Sequence, residues 1–262
     1  MNRLSLSFLS ALAVTCCAQP MSAAADATAG RALVKRYADA IVGVELVVTI
    51  KMKVGDREAP PREQRIEVNG TVISPSGLTV TTLAEVDPQS AFEAMRANAP
   101  GGNRVELVGA DFKEVKLRLA DGREVPARFV LKDADLDLAF MAPDVAAAEG
   151  TAKEFAYVKL EDAAQGEMLG DYFNLSRAPK VLQRVPMVRA GQVSGIVEKP
   201  RRVYLMTDQT VGTPSFDAQG RVLGISLQHF ANGRRTGLVV VPAADIAEMA
   251  KQASAAQAAP AK

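Results

Sequence analysis

Residues 115–141 read VKLRLADGREVPARFVLKDADLDLAFM, and the alternation within that run decides the fold class. Val115, Leu117 and Leu119 are separated by Lys116 and Arg118, the two-residue period of a strand with one buried face. Asp121-Gly122 is a tight-hairpin signal, because these residues tolerate the positive φ that such a turn requires. The chain returns as a second strand over 124–131, and an apolar third strand follows over 136–141.

The same habit extends in both directions. Upstream, IVGVELVVTIKMK (41–53) is rich in β-branched residues and reads as a strand, after a helix over 27–40 with Leu33, Val34, Tyr37 and Ala38 at helical spacing. Residues 54–65 are charged and Pro-rich, hence a surface loop. Residues 68–82 read strand–turn–strand about Pro75-Ser76-Gly77. Asp87-Pro88 is an N-cap followed by proline at the first helical position, opening a short helix to Asn98 that Pro100 to Asn103 ends. Downstream, strands are expected over 155–160, 169–175, 181–188, 190–198, 202–207, 221–227 and 236–241, then a helix over 243–251. Many short strands with turn signals between them imply closed β architecture.

Composition bounds the function. The 262 residues are 48% hydrophobic and 23% charged, enough to bury a core, and the net charge is +1 with no basic stripe, which argues against nucleic acid as a partner. Arg3, the apolar run from Leu4 to Val14 and the small residues Ala23 to Ala25 occur in the order of an export signal cut after Ala25. The apolar run is too short to span a bilayer, so no transmembrane anchor is expected after cleavage, and the protein is expected in the periplasm or secreted. Both cysteines, Cys16 and Cys17, fall inside that signal; the weaker alternative is a lipoprotein acylated at one of them. No cofactor is implied. Asp133, Asp135 and Asp137 imitate the opening of an EF-hand loop, but Leu138 stands where that loop needs glycine and Asp144 where it needs glutamate. With a single histidine and no mature cysteine, no metal site is expected.

Several segments, in order, resemble the protease domain of the HtrA/Deg family of trypsin-like serine proteases. GTVISPSGLTVTT (70–82) resembles the strand leading to that family's histidine loop, and 115–141 its run to an Asp-Leu-Ala motif. FDAQGRVLGI (216–225) resembles the strand pair after its serine, and 238–242 the strand before its closing helix. The resemblance covers about residues 40–250, with an insertion near 88–112. It implies an all-β fold of two packed six-stranded antiparallel Greek-key barrels with short N- and C-terminal helices. The expected boundaries are signal 1–25, first barrel 26–142, linker 143–153, second barrel and closing helix 154–251, and a disordered tail 252–262, leaving no room for a PDZ domain.

The family's chemistry needs a serine hydroxyl, a histidine to take its proton and an aspartate to orient the histidine. By resemblance, Ala84 stands at the histidine position, Val211 at the serine position, and only Asp137 keeps the family's residue type. A methyl and an isopropyl group can neither accept a proton nor attack a carbonyl. Gln209, Thr210 and Val211 replace part of the glycine-rich turn that forms the oxyanion hole. The resemblance therefore implies a pseudoprotease that binds an extended peptide or a protein partner, such as an active protease homologue, with Leu227, Gln228 and His229 as the candidate binding edge. The alternative is an active serine endopeptidase of envelope quality control with an unconventional nucleophile. Ser215 and His229 are its only candidates, since Ser176 and Lys180 lack Ser-x-x-Lys spacing.

Overall fold

A computed structural model describes residues 27–98, 105–144, 154–231 and 233–258. The expected export signal (1–25), both cysteines and residues 145–153 of the expected linker lie outside the described residues. Helix α1 (Ala27–Tyr37) leads into β1 (Ile41–Val54), β2 (Arg57–Glu58), β3 (Arg62–Val72) and β4 (Thr79–Thr82). Two short helices, α2 (Leu83–Val86) and α3 (Pro88–Asn98), precede β5 (Val105–Arg118), β6 (Glu124–Asp133) and β7 (Leu138–Pro143). The antiparallel order β1-β3-β4-β7-β6-β5 returns to β1, which closes a six-stranded barrel and leaves β2 as an appendage.

The second half contains β8 (Asp171–Arg177), β9 (Pro186–Gln192), β10 (Gly195–Val197), β11 (Val203–Leu205), β12 (Pro214–Asp217), β13 (Val222–Ala231), β14 (Arg234–Pro242) and helix α4 (Ala243–Ala258). Its antiparallel sheet runs β10-β11-β14-β13-β12-β8-β9. The two edges belong to one bent run of chain. Val193 N donates to Gly170 O on the β8 side, and Ser194 N donates to Leu205 O on the β11 side, both at 2.9 Å.

Alternation along the strands builds three apolar layers. Val42, Val44, Leu46, Val72, Leu117 and Met141 fill the first barrel, and Tyr172, Tyr204, Leu223 and Val240 the second. The largest cluster lies between them, with Ile41, Leu138 and Phe140 from one side and Phe173, Phe216, Ile225 and Leu227 from the other. Strand β7 shows the pattern best: Leu138, Phe140 and Ala142 face the seam while Ala139 and Met141 face the first barrel, so the strand is buried on both sides. Tyr37 at the end of α1 stacks on Phe216 with ring centroids 4.8 Å apart. Among the described residues, no helix is long and apolar enough to cross a membrane.

Local turn signals operate as their chemistry predicts. Gly122 takes φ +87° and its N–H donates to Leu119 O, while Asp121 Oδ1 accepts the N–H of Arg123. Asp87 Oδ2 accepts the N–H of Ser90, the N-cap bond of α3.

Two expectations are corrected. Residues 54–65 do not form a plain loop, because β1 runs on to Val54 and β3 starts at Arg62, paired with Ile50. The insertion near 88–112 holds the expected helix and also the start of β5, at Val105 opposite Val54, which makes a ribbon with β1 and β3 that extends the barrel wall. One face of this ribbon is half-buried, with Ile50, Met52 and Leu107 beside Phe92 of α3, while Arg62 to Arg65 of β3 are exposed, which is why that stretch is charged. Finally, α4 continues through residues assigned to a disordered tail. Ala253 is fully buried, Arg128 Nη2 donates to Gln257 O, and Gln257 Nε2 donates to Ser76 O. These contacts come from the first barrel and are invisible in an Ala-rich sequence.

Candidate functional site

Asp137 closes the turn between β6 and β7 with φ +58°, a left-handed conformation that aspartate tolerates better than most side chains. That turn directs a buried carboxylate into the seam. Oδ1 accepts the N–H of Ala84 at 2.7 Å, and Oδ2 accepts the hydroxyl of Thr82 and the N–H of Gln228, the latter at 2.9 Å. The main-chain O of Asp137 also takes the N–H of Leu83. Asp137 thus satisfies the first-turn amides of α2, which a helix start cannot satisfy itself. Burial pushes its carboxyl up to about 6; the bonds from Thr82, Ala84 and Gln228 oppose that rise, and the nearby Glu85 carboxylate adds to it.

No histidine lines the space beside Ala84. A cavity of about 180 Å³ is lined by Ala84, Asp137, Ser90, Glu93 and Phe230. Ser90 is engaged elsewhere, since its hydroxyl donates to Asp87.

The loop at 209–213 is stitched to both barrels. Thr210 N donates to Asn174 Oδ1 and Gly212 N to Ser226 O in the second barrel, while Thr71 Oγ1 of the first donates to Gly212 O. Gly212 has φ +75°, and a Cβ there would lie 2.1 Å from Asn69 O, so no other residue fits. Gln209 Oε1 accepts the hydroxyl of Ser226. Beneath the loop, Asn174 Nδ2 donates to Pro214 O at 3.1 Å and to Thr213 Oγ1 at 3.0 Å.

Two barrels meeting at a buried aspartate, with this loop laid across the seam, form the frame of a serine peptidase. The family model described as the trypsin-like peptidase domain matches residues 68–225, more than half of the chain. The chain belongs to the trypsin-like peptidase family. The apo protease domain of MamO from Magnetospirillum magneticum is similar at 19% identity, over 82% of this chain and 97% of that one, with a TM-score of 0.48. No curated protein matches the chain.

Of the three positions that the resemblance assigns to the family triad, Ala84 and Asp137 are joined by a hydrogen bond. The Asp137 carboxylate is engaged by three donors, Thr82, Ala84 and Gln228. Val211 is half-buried and bonds to neither; its neighbour Gly212 lies against Thr81, which adjoins the Thr82 that bonds Asp137. His229 Nδ1 pairs with Thr236 Oγ1 at 2.6 Å on β14, away from the seam. Ser215 is fully buried, with its hydroxyl 3.2 Å from Asn174 Nδ2.

The candidate edge Leu227–His229 requires correction. Leu227 is sealed in the core between the barrels, and the Gln228 N–H is spent on Asp137. The Gln228 side chain donates to Glu85, so only His229 of the three reaches solvent. Strand β13 is central in its sheet, and that follows from pairings the sequence does not display. Thr82 and Asn174 were not anticipated. Thr82 had a local signal, the Thr-x-x-Glu spacing to Glu85 that marks a helix start. Asn174 had none.

Proposed function

We propose that this member of the trypsin-like peptidase family binds an extended peptide or a protein partner and does not cut it. Asp137 carries the reading: the carboxylate that would orient a base is occupied by Thr82, Ala84 and Gln228, and a methyl group stands at the position of the base. Peptide hydrolysis needs a nucleophile and a proton acceptor in mutual contact. The substitutes in this chain are separated, with Ser215 enclosed under Asn174 and His229 held by Thr236. Binding makes fewer demands than catalysis, because a cleft between barrels needs only main-chain groups and shape. The export signal at residues 1–25 supports a place in the cell envelope, where a catalytic homologue is one candidate partner.

The test is chemical. Purified protein is expected neither to be labelled by a fluorophosphonate nor to hydrolyse casein. Labelling and hydrolysis, both abolished by Ser215→Ala or His229→Ala, would overturn the reading. Co-purification from the cell envelope separates the two binding roles: one stoichiometric protease indicates a supporting subunit, and diverse peptides indicate a free binder.

A further inference from the structure

A cleft of about 480 Å³ runs along the junction of the barrels, with Thr210 on one side and Glu67 and Asn69 of β3 on another. Leu182 and Met187 give it apolar surface, and Leu182 is 59% exposed. Three arginines line it, and their partners differ. Arg184 is answered by Glu45 and Glu67, each at 2.7 Å. Arg177 is spent on the carbonyl oxygens of Ile41, Ala38 and Arg184, which are neutral, and its acid is Asp39 at 3.6 Å on the open surface.

Arg189 is paired with no acid among the described residues. Its Nη1 donates to Thr210 Oγ1 at 2.8 Å and to Ser176 Oγ at 3.4 Å, which orients the guanidinium plane. The Nε–Nη2 edge remains, and its two parallel N–H groups match the oxygens of a carboxylate. A partly buried cation without a counter-ion gives up solvation that hydroxyl partners restore only in part. A carboxylate from outside the chain would restore it. The backbone beside the cleft favours a peptide as the carrier. Strand β3 pairs with β1 from Arg62 to Thr71, whereas on its other edge β4 reaches only Thr71 and Val72. At Asn69 the main-chain O already accepts the Thr81 hydroxyl at 2.7 Å, so the stretch of β3 with one edge unpaired by β4 runs up to Glu67, and there an extended main chain can add.

We propose that this cleft binds an acidic peptide segment, with an Asp or Glu side chain on the Nε–Nη2 edge of Arg189 and apolar neighbours against Leu182 and Met187. The inference rests on the binding function above and specifies what that binding recognises.

The experiment immobilises the protein and offers a library of hexapeptides blocked at both ends, with the bound fraction read by mass spectrometry. Wild type is expected to enrich Asp or Glu at one position by about tenfold. Arg189→Gln is expected to lose the enrichment while keeping the wild-type melting temperature. Arg189→Lys keeps the charge without the planar fork and is expected to enrich less than wild type; it stands in if the Gln variant fails to fold. A library with free C-termini separates the sources of carboxylate, and enrichment there alone would overturn an acidic side chain as the ligand. Retention of peptides without acidic bias, or a bias unchanged in both variants, sinks this proposal and leaves the binding function standing. Retention of nothing by wild type ends both.

Discussion

Asp137 Oδ2 accepts the main-chain N–H of Gln228 at 2.9 Å, so an acid from the first barrel is tied to the central strand of the second. With the bonds to Thr82 and Ala84, that contact makes the carboxylate a structural clasp. The clasp has consequences for stability.

Burial raises the Asp137 carboxyl from its ordinary 3.8 to about 6, so the folded protein binds this proton more tightly than the unfolded chain does. The stabilising contribution of the protonated form is complete below pH 4 and is lost as pH rises through 6, amounting to roughly 3 kcal/mol. Urea midpoints measured from pH 4 to 7 on wild type and Asp137→Asn should diverge by that trend, the variant lacking the decline. Parallel pH curves for the two proteins would show that Asp137 stays at its ordinary value.

Placing the missing groups should not bring back hydrolysis. In Ala84→His/Val211→Ser the oxyanion donors would be the amides of residues 209 and 211, and Gln209 and Thr210 replace part of the glycine-rich turn that aims them. Each lost oxyanion donor costs about a hundredfold in rate. The double variant is expected to show no fluorophosphonate labelling above wild type in a gel assay, and strong labelling would mean that the loop rearranges readily.

Gly212→Ala tests the seam. The added methyl meets Asn69 O at 2.1 Å in a left-handed conformation, and the loop cannot retreat because Thr71 and Ser226 hold it from both sides. A loss of about 3 kcal/mol is expected from strain and overpacking together. Thermal unfolding by circular dichroism measures it; a change in melting temperature below two degrees would contradict the packing described.

Ending the chain at residue 251 removes the buried Ala253 and the bonds of Gln257 to Ser76 and Arg128. The truncated protein should melt several degrees lower, by about 2 kcal/mol from one small buried group and two or three partly exposed hydrogen bonds. An unchanged melting temperature would return these residues to the status of a tail.

Local chemistry was legible in the sequence wherever one segment settles its own shape. The hairpin at Asp121-Gly122 and the helix start at Asp87-Pro88 involve neighbours only, and both form as read. Segments that take their shape from distant partners were misread. Residues 181–188 looked like a strand, yet Gln183 and Arg184 adopt left-handed conformations, with Arg177 Nη1 bonded to Arg184 O. Strand β12 was legible only through the resemblance, as the first of the strand pair over 216–225, because its four residues are identified by pairing with β8 and β13 rather than by alternation.

The sequence by itself determined what chemistry is lacking at the positions that the resemblance assigns to the triad, since an alanine at 84 and a valine at 211 carry no group that exchanges a proton or attacks a carbonyl. Only the tertiary structure decided what Asp137 does in their absence and that Arg189 faces a cleft with no acid to meet it. The physical reason is that reactivity belongs to a residue type, whereas burial and partnership arise between segments as far apart as Asp137 and Gln228, 91 positions along the chain.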